Sequence, residues 1–568
     1  MKQELLEYLT QEKEFLEEDI ALLDTLPTEV LVEKGVLIEN LQLDQQKGNE
    51  LILLADINNS RFRPGDKVTL QVGKKRYVAT VLENFFSEIT ILLHEKVTIP
   101  KDVLLSIRAE AVQLLNPMIE ALKTLEEGGP GWTIFETLSG LRPPRPRSLF
   151  GAICDEESIE LLRKYQLNLS ENQEKYVLKA LKLPSVYAIQ GPPGTGKSFV
   201  LALIADILTA KSKRVVVLAP THQAVNNCLA TIRELNEAIR LIKIGEEIKS
   251  SGLPDSIERM SYFQFNKKLK GNQIKWPCIV GMTFYSAVIH LGLRASSLSP
   301  NVILMDEAGQ LPFSFGALVG LFGAGSTIFF GDDAQLPPIY HERLEHHPLS
   351  KSVFQQFRSM FPDQVDALDV TYRLNTELCD YIGSRYYPNA QKQTFLKPAT
   401  SAANRYFERA LPMGIPDDIR NVLTPHPALT FFDNRLAQEP CTQLNEPEAL
   451  KIAELTSFFL QTGLTKKDIA IVTPFRRQAL AIRKALVNLV PADSIPVVDT
   501  VERLQGASVE VAIVSLATTD PAFFDQMSHF LLSPNRLNVA LSRAKRKVVV
   551  FGPTDTLTRY ALISGDLA

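Results

Sequence analysis

The pattern of apolar and polar positions divides the chain before any motif is considered. Residues 2–24 place Leu5, Leu9, Leu16, Ile20 and Leu23 at helical steps among many glutamates, so the stretch reads as an amphipathic helix long enough to act as a stalk. Five β-rich runs follow: Val36–Leu43, Leu51–Asp56, Lys67–Val72, Arg76–Leu82 and Ile89–His94. Their turns are rich in Gly, Asn, Pro and Lys, including Arg63-Pro64-Gly65-Asp66 and Gly73-Lys74-Lys75, and the stretch predicts a small antiparallel barrel. A barrel of this kind suits either nucleic acid or a docked protein partner, and sequence leaves both open. A second helical stretch is expected over 108–127, with Asn116 able to cap it, Pro117 at its first helical position and Gly128-Gly129-Pro130-Gly131 ending it. Residues 142–147, Arg-Pro-Pro-Arg-Pro-Arg, form a stiff basic linker.

Near residue 150 the pattern changes to apolar strands alternating with helices. Val186–Gln190, Arg214–Ala219, Cys278–Met282, Val302–Met305 and Thr327–Phe330 suit a parallel sheet covered on both faces. A second set comprises Leu429–Phe432, Ile469–Val472, Ile495–Val498, Val511–Ser515 and Val548–Phe551. Two α/β lobes in tandem, with a seam near residues 355–370, are the simplest reading. The chain ends soon after Phe551-Gly552, so no fused nuclease or zinc-finger tail is expected.

Composition narrows the class. The chain has 568 residues, 61 basic and 65 acidic, for a net charge of −4, and it is 45% hydrophobic. Those figures exclude a disordered chain and a globally basic coat protein; a nucleic acid would have to be gripped in a local groove. The five cysteines lie far apart with no Cys-x-x-Cys pair, which excludes a sequence-evident zinc ribbon and reads as reduced thiols. The acidic N-terminus is not a signal peptide, and the apolar run Phe313–Phe330 is glycine-interrupted and reads as buried helix and strand. A soluble, cytoplasmic monomer without a membrane segment is expected.

The chemistry is carried by separate strings. Gly191-Pro192-Pro193-Gly194-Thr195-Gly196-Lys197-Ser198 follows one strand and precedes the helical Phe199–Leu208, satisfying the P-loop pattern. Backbone amides of such a loop wrap phosphates, Lys197 reaches the β and γ phosphates, and the Ser198 hydroxyl can ligate Mg²⁺. Hydrolysis also requires carboxylates. Asp306, at the end of Val302–Met305, is the candidate metal-side acid and Glu307 the candidate base. Gly331-Asp332-Asp333-Ala334-Gln335-Leu336-Pro337-Pro338 offers Gln335 as a γ-phosphate sensor. Thr371-Tyr372-Arg373 offers a ring for the base and a guanidinium for the phosphates, and Arg543 could act as an arginine finger.

Taken in order, these strings with Leu169-Ser170-Glu171-Asn172-Gln173, Leu218–His222, Val472–Gln478, Asp499–Gly506 and Asn538–Ala544 resemble superfamily 1 helicases. The likeness is greatest to the 5′-to-3′ subgroup that includes the nonsense-mediated-decay helicase, senataxin and the immunoglobulin mu-binding helicase. It covers residues 169–552, and the preceding helix, barrel and helix are similar to the subgroup's accessory domain. The resemblance implies two RecA-like P-loop lobes, ATP and Mg²⁺ as cofactors, and a single strand of DNA or RNA as partner. It implies that Gln173 reads the adenine edge and Tyr372 stacks on it. Lys197, Ser198, Asp306, Glu307, Gln335, Arg373 and Arg543 would form the hydrolytic machinery. Pro220, Thr221, Thr283, Pro474 and Thr500 would line the strand channel, with the Phe475 ring available to bases.

The implied division is 1–27 stalk helix, 28–107 barrel, 108–149 second stalk helix and linker, 150–360 first lobe with an insertion near 245–275, and 361–568 second lobe. Four positions depart from the family pattern. His222 stands where many relatives have Asn, Asp333-Ala334 precedes Gln335, and Ser508 occupies a position commonly held by Glu, with Glu510 two residues on. The expected function is an ATP-driven helicase or translocase moving 5′-to-3′. A remodelling translocase that separates duplexes poorly, or a nucleotide-gated clamp that uses hydrolysis only as a timer, is the alternative.

Overall fold

A computed structural model describes residues 1–568 except 56, 57, 59, 63, 64, 85–87, 111–114, 130, 147–151, 251, 292–297, 390–392, 504, 505, 507 and 563–568. Part of the Arg63–Asp66 turn, the expected start of the first lobe at 150 and Gln505 therefore lie outside the described residues.

Six strands close into the N-terminal barrel: β1 (Leu37–Lys47), β2 (Glu50–Leu54), β3 (Lys67–Val72), β4 (Lys75–Asn84), β5 (Glu88–Leu93) and β6 (Leu105–Ala109), in the order β1-β2-β5-β4-β3-β6. The first five match the predicted runs to within a few residues. β6 was not anticipated. Leu105 and Ile107 alternate inward at 1% and 0% exposure, a two-residue period masked by the apolar stretch after it. The helix expected over 108–127 is accordingly shorter, Leu115–Lys123, and β6 runs past the expected barrel boundary at 107.

The first helix, Lys2–Thr25, is tied to the first lobe in both halves, with Asp19 3.1 Å from His341 and Glu18 2.7 Å from Arg343 in the second. Leu5, Tyr8 and Leu9 are buried in a core shared with the first lobe, and the Tyr8 hydroxyl lies 2.9 Å from Ser350 Oγ. Leu22, by contrast, is 59% exposed.

The first lobe is an eight-stranded parallel sheet of β7 (Val186–Gln190), β8 (Val215–Ala219), β9 (Leu241–Ile244), β10 (Glu258–Met260), β11 (Ile279–Thr283), β12 (Val302–Met305), β13 (Ser326–Gly331) and β14 (Val365–Ala367). The order is β10-β9-β11-β8-β12-β13-β7-β14. The central strands are buried along their whole length, as a sheet covered on both faces requires. Three strands went unpredicted. Lys243 interrupts the apolar run of β9, β10 has only three residues, and β14 is half-buried throughout. Two domain expectations change as a result. Val365 pairs with Ala188 of β7, so the first lobe's sheet extends beyond residue 360. The 245–275 segment supplies the edge strand β10 and the helix Tyr262–Lys270, and is thus built into the lobe.

A two-stranded ladder, β15 (Val370–Thr371) and β16 (Lys397–Pro398), leads into the second lobe. There β17 (Leu429–Asp433), β18 (Ile469–Val472), β19 (Val497–Asp499), β20 (Val509–Ser515) and β21 (Ala544–Gly552) form a parallel sheet in the order β17-β21-β20-β18-β19. The barrel touches this lobe too: Arg476 Nη1 donates to the Ser60 carbonyl at 3.0 Å, and Arg477 lies 3.6 Å from Glu33. The Phe313–Phe330 run resolves into helical turns and the start of β13, and among the described residues no helix is long and apolar enough to cross a membrane.

Candidate active site

The loop after β7 passes through left-handed backbone at Gly194 (φ 73°) and Gly196 (φ 78°), a conformation that L side chains rarely adopt. Its end is the first turn of the helix Lys197–Ala210, whose leading amides have no intrahelical partner. A Cβ on Gly194 would sit 2.3 Å from the Arg373 Cβ and 2.8 Å from Thr371 Oγ1. Gly194→Ala is therefore expected to displace the Thr371–Arg373 segment and weaken nucleotide affinity by about tenfold or more, read by titration with a fluorescent nucleotide.

Lys197 Nζ lies 2.9 Å from Glu307 Oε1 and 3.2 Å from Asp306 Oδ1. Burial opposes the ammonium charge, but the charges of Asp306 and Glu307 outweigh it and hold Lys197 above its ordinary range. Asp306 terminates β12 and accepts at Oδ1 from the Glu307 N–H (2.9 Å). The thiol of Cys228, on the helix His222–Leu235, donates to Asp306 Oδ2 at 3.2 Å, and burial followed by the Asp306 charge keeps that thiol well above its ordinary pKa. Glu307 occupies left-handed backbone (φ 53°), and its Oε2 accepts from Gln310 Nε2 at 3.0 Å.

The expected base-side residues meet on the same loop. Gln173 closes a capping box with Ser170, and its Nε2 donates to the Thr195 carbonyl at 3.1 Å. The Tyr372 hydroxyl donates to Gln173 Oε1 at 3.3 Å, while the Tyr372 ring is 37% exposed. Tyr372 N–H donates to the Gly194 carbonyl (2.8 Å), and Thr371 Oγ1 to that of Pro193 (2.9 Å). The Thr195 hydroxyl turns inward to the Pro192 carbonyl at 2.8 Å.

Two arginines enter from the second-lobe side. Arg373 Nη1 donates to the Ser542 carbonyl at 3.0 Å, and Arg543 Nε to that of Val539 at 2.8 Å. Burial, with repulsion from Arg543, brings Arg373 down to about 9. Burial brings Arg543 down to about 10, opposed by the Glu307 charge. Both remain cationic at neutral pH, so the cleft holds Lys197 and two mutually repelling guanidinium groups, an arrangement that favours a polyanion.

Gln335 is 9% exposed, and its side-chain amide donates to Asp332 Oδ2. Burial pushes the Asp332 carboxyl up to about 6, against hydrogen bonds from Tyr387, Gln335 and Gln190.

One cleft of about 2450 Å³ connects these groups: it is lined by Gly191–Phe199, Asp306, Glu307, Gln335, Arg373 and Arg543, and also by Pro220, Thr221 and Thr283. Pro474, Phe475 and Thr500 are not part of that lining. Phe475 corrects the expectation of a ring available to bases. It is 8% exposed and packs in the second-lobe core, 6.2 Å from Phe523 and 6.3 Å from Phe530 between ring centroids.

The departures from the family pattern also find their places. His222 Nδ1 lies 2.9 Å from the buried Lys243 Nζ, and burial brings His222 down to about 3 and Lys243 to about 7. Asp333 pairs with Arg358 at 3.2 Å. Ser508 is exposed, and Glu510 is engaged by Lys545 at 2.9 Å and by Arg546. Sequence reasoning missed Cys228, Tyr387, the acids Glu50, Asp66, Glu83 and Glu88 that the barrel contributes to the cleft wall, and the side-chain roles of Asn535 and Asn538. Asn538 lay inside a motif string; the others carried no local signal.

A strand–loop–helix phosphate cradle facing two carboxylates, with Arg373 and Arg543 entering from the side of a second parallel sheet, defines a two-lobed P-loop protein. Comparison with known families agrees: residues 168–346 match one AAA domain and residues 349–555 match another. Residues 168–346 and 349–555, which carry the motif series, are thus each similar to an AAA domain. It is 24% identical over 547 residues to the DNA replication ATP-dependent helicase/nuclease JHS1 of Arabidopsis thaliana, covering 92% of this chain and 38% of that one. Human DNA replication ATP-dependent helicase/nuclease DNA2 is 24% identical, with coverages of 87% and 48%. The DNA polymerase alpha-associated DNA helicase A of Schizosaccharomyces pombe is 23% identical, with coverages of 94% and 89%. The chain thus spans less than half the length of its JHS1 and DNA2 relatives. A solved arterivirus nonstructural protein 10 helicase in complex with DNA aligns with 91% of this chain and 80% of its own at 13% identity, with a TM-score of 0.42.

Proposed function

We propose that the protein hydrolyses ATP between its two lobes and uses the cycle to move 5′-to-3′ along a single strand of nucleic acid. One observation carries this reading: Lys197, Asp306 and Glu307 from the first lobe share a cleft with Arg373 and Arg543, and the same cleft runs on to Pro220, Thr221 and Thr283. The names of the relatives make DNA the expected track.

In the proposed cycle the triphosphate takes over the Lys197 ammonium, which without nucleotide is satisfied by Asp306 and Glu307. Glu307, released from that ion pair, orients the attacking water and accepts its proton. Arg373 and Arg543 neutralise charge on the γ-phosphoryl group and draw the second lobe inward. Tyr372 offers its exposed ring to the adenine, beside Gln173. The oxygen donors fit a Mg²⁺ ion: the Ser198 hydroxyl and the Asp306 carboxylate would hold it, with phosphate oxygens and water completing the shell. Among the described residues no cluster of three or more His, Cys, Asp or Glu offers a self-sufficient metal cage, consistent with an ion that arrives with the nucleotide. Bound Mg²⁺ would neutralise phosphate charge.

The test is steady-state ATP hydrolysis without nucleic acid, with single-stranded DNA and with single-stranded RNA. Stimulation of about tenfold or more by one polymer is the expected result. Turnover indifferent to both polymers would contradict a motor and favour the nucleotide-gated clamp.

A further inference from the structure

The loop Gly331–Pro338 belongs physically to both lobes. It leaves β13 of the first sheet, yet Leu336 packs in the second-lobe core with Leu374, Leu378 and Tyr387. Its backbone is held from the far side as well: Asn535 Nδ2 donates to the Asp333 carbonyl at 3.0 Å, and Asn538 Nδ2 to that of Ala334 at 2.8 Å. At the centre lies Asp332, 3% exposed. Its Oδ1 accepts from Gln190 Nε2 at 3.1 Å, at the end of β7. Its Oδ2 accepts both the Gln335 amide and the phenol of Tyr387, the latter at 2.6 Å. That phenol in turn accepts from Asn538 Nδ2 at 2.7 Å, and Tyr387 is 2% exposed.

A buried carboxylate oxygen that serves two donors ties their positions together, because loss of either leaves charge under-solvated where the dielectric is low. One of the two donors is Gln335, beside the phosphate site. The other comes from a residue that packs in the second-lobe core and is oriented by the helix that precedes Arg543. We propose that Tyr387 is a positioning residue that fixes Gln335 through Asp332, so that Gln335 is held ready for the γ-phosphate only while the second lobe is seated. The inference rests on the role given to Gln335 in the proposed ATPase.

Tyr387→Phe removes the hydroxyl and keeps the ring, so a double-mutant cycle with Gln335→Ala tests the link in the full chain. Gln335→Ala is expected to lower kcat about 100-fold and Tyr387→Phe about tenfold, each with KM for ATP within about twofold of wild type. The double variant is expected to be no slower than Gln335→Ala alone, since one residue acts through the other. A kcat reduced by the product of the two single effects, or an unchanged kcat in Tyr387→Phe, would overturn the positioning role and leave Gln335 in place. An unchanged kcat in Gln335→Ala would instead overturn the role of Gln335, and the positioning role with it. Thermal melting reports whether Tyr387→Phe folds. If it does not, Asn538→Ala, which removes the donor that orients the phenol, is expected to show the same non-additivity, and additive effects there would overturn the proposal equally.

Discussion

Replacing Glu307 by Gln is expected to lower ATP turnover by about three orders of magnitude while ATP affinity stays within a few-fold of wild type. Glu307 follows Asp306 just beyond β12 and is turned by its left-handed backbone so that Oε1 meets Lys197 at 2.9 Å and Oε2 meets Gln310 at 3.0 Å. Glutamine preserves the volume and its carbonyl oxygen can still accept from Lys197, but its amide nitrogen neither accepts from Gln310 nor takes a proton from water. Binding determinants on the P-loop and on Tyr372 are untouched, so the loss falls on kcat rather than on affinity. Steady-state hydrolysis beside equilibrium titration with a fluorescent ATP analogue separates the two. A variant that hydrolyses at the wild-type rate would remove Glu307 from the mechanism.

Arg543→Ala is expected to reduce kcat by three orders of magnitude or more, the scale on which a transition-state arginine acts. Arg543 is 2% exposed and is held by the Val539 carbonyl at 2.8 Å. Lys197, the P-loop amides and Tyr372 stay in place, so ground-state nucleotide binding should suffer far less than turnover. Arg543→Lys is expected to restore little, because a point charge does not reproduce the planar fork. Equal losses in affinity and turnover would make Arg543 a ground-state binding group instead of a finger.

The parts of the molecule legible in the sequence are those whose physics is local. Val186–Gln190, Val302–Met305 and Ile469–Val472 are continuous apolar runs buried on both faces, and each forms a strand with the predicted limits. The phosphate loop is equally local, since glycine freedom and a helix start lie within eight residues of sequence. Strands that carry a charge or are half-exposed escaped notice: Lys243 lies inside β9 because His222 and the Ile244 carbonyl receive its ammonium, contacts that no periodicity reveals. The same holds in the site. Cys228 reaches Asp306 across 78 residues and Tyr387 reaches Asp332 across 55, so each acquires its role only through the packing of distant elements. Phe475 shows the converse, a ring placed by motif in the channel but claimed by the apolar cluster of Phe523 and Phe530.

The central claim is directed movement along a strand, and displacement of streptavidin from a biotinylated oligonucleotide tests it most directly. With ATP present, the account predicts release from a 3′-terminal biotin at least about tenfold faster than from a 5′-terminal one, and no release with Glu307→Gln. Release from the 5′ end alone would reverse the direction, and active ATP hydrolysis without release from either end would contradict translocation.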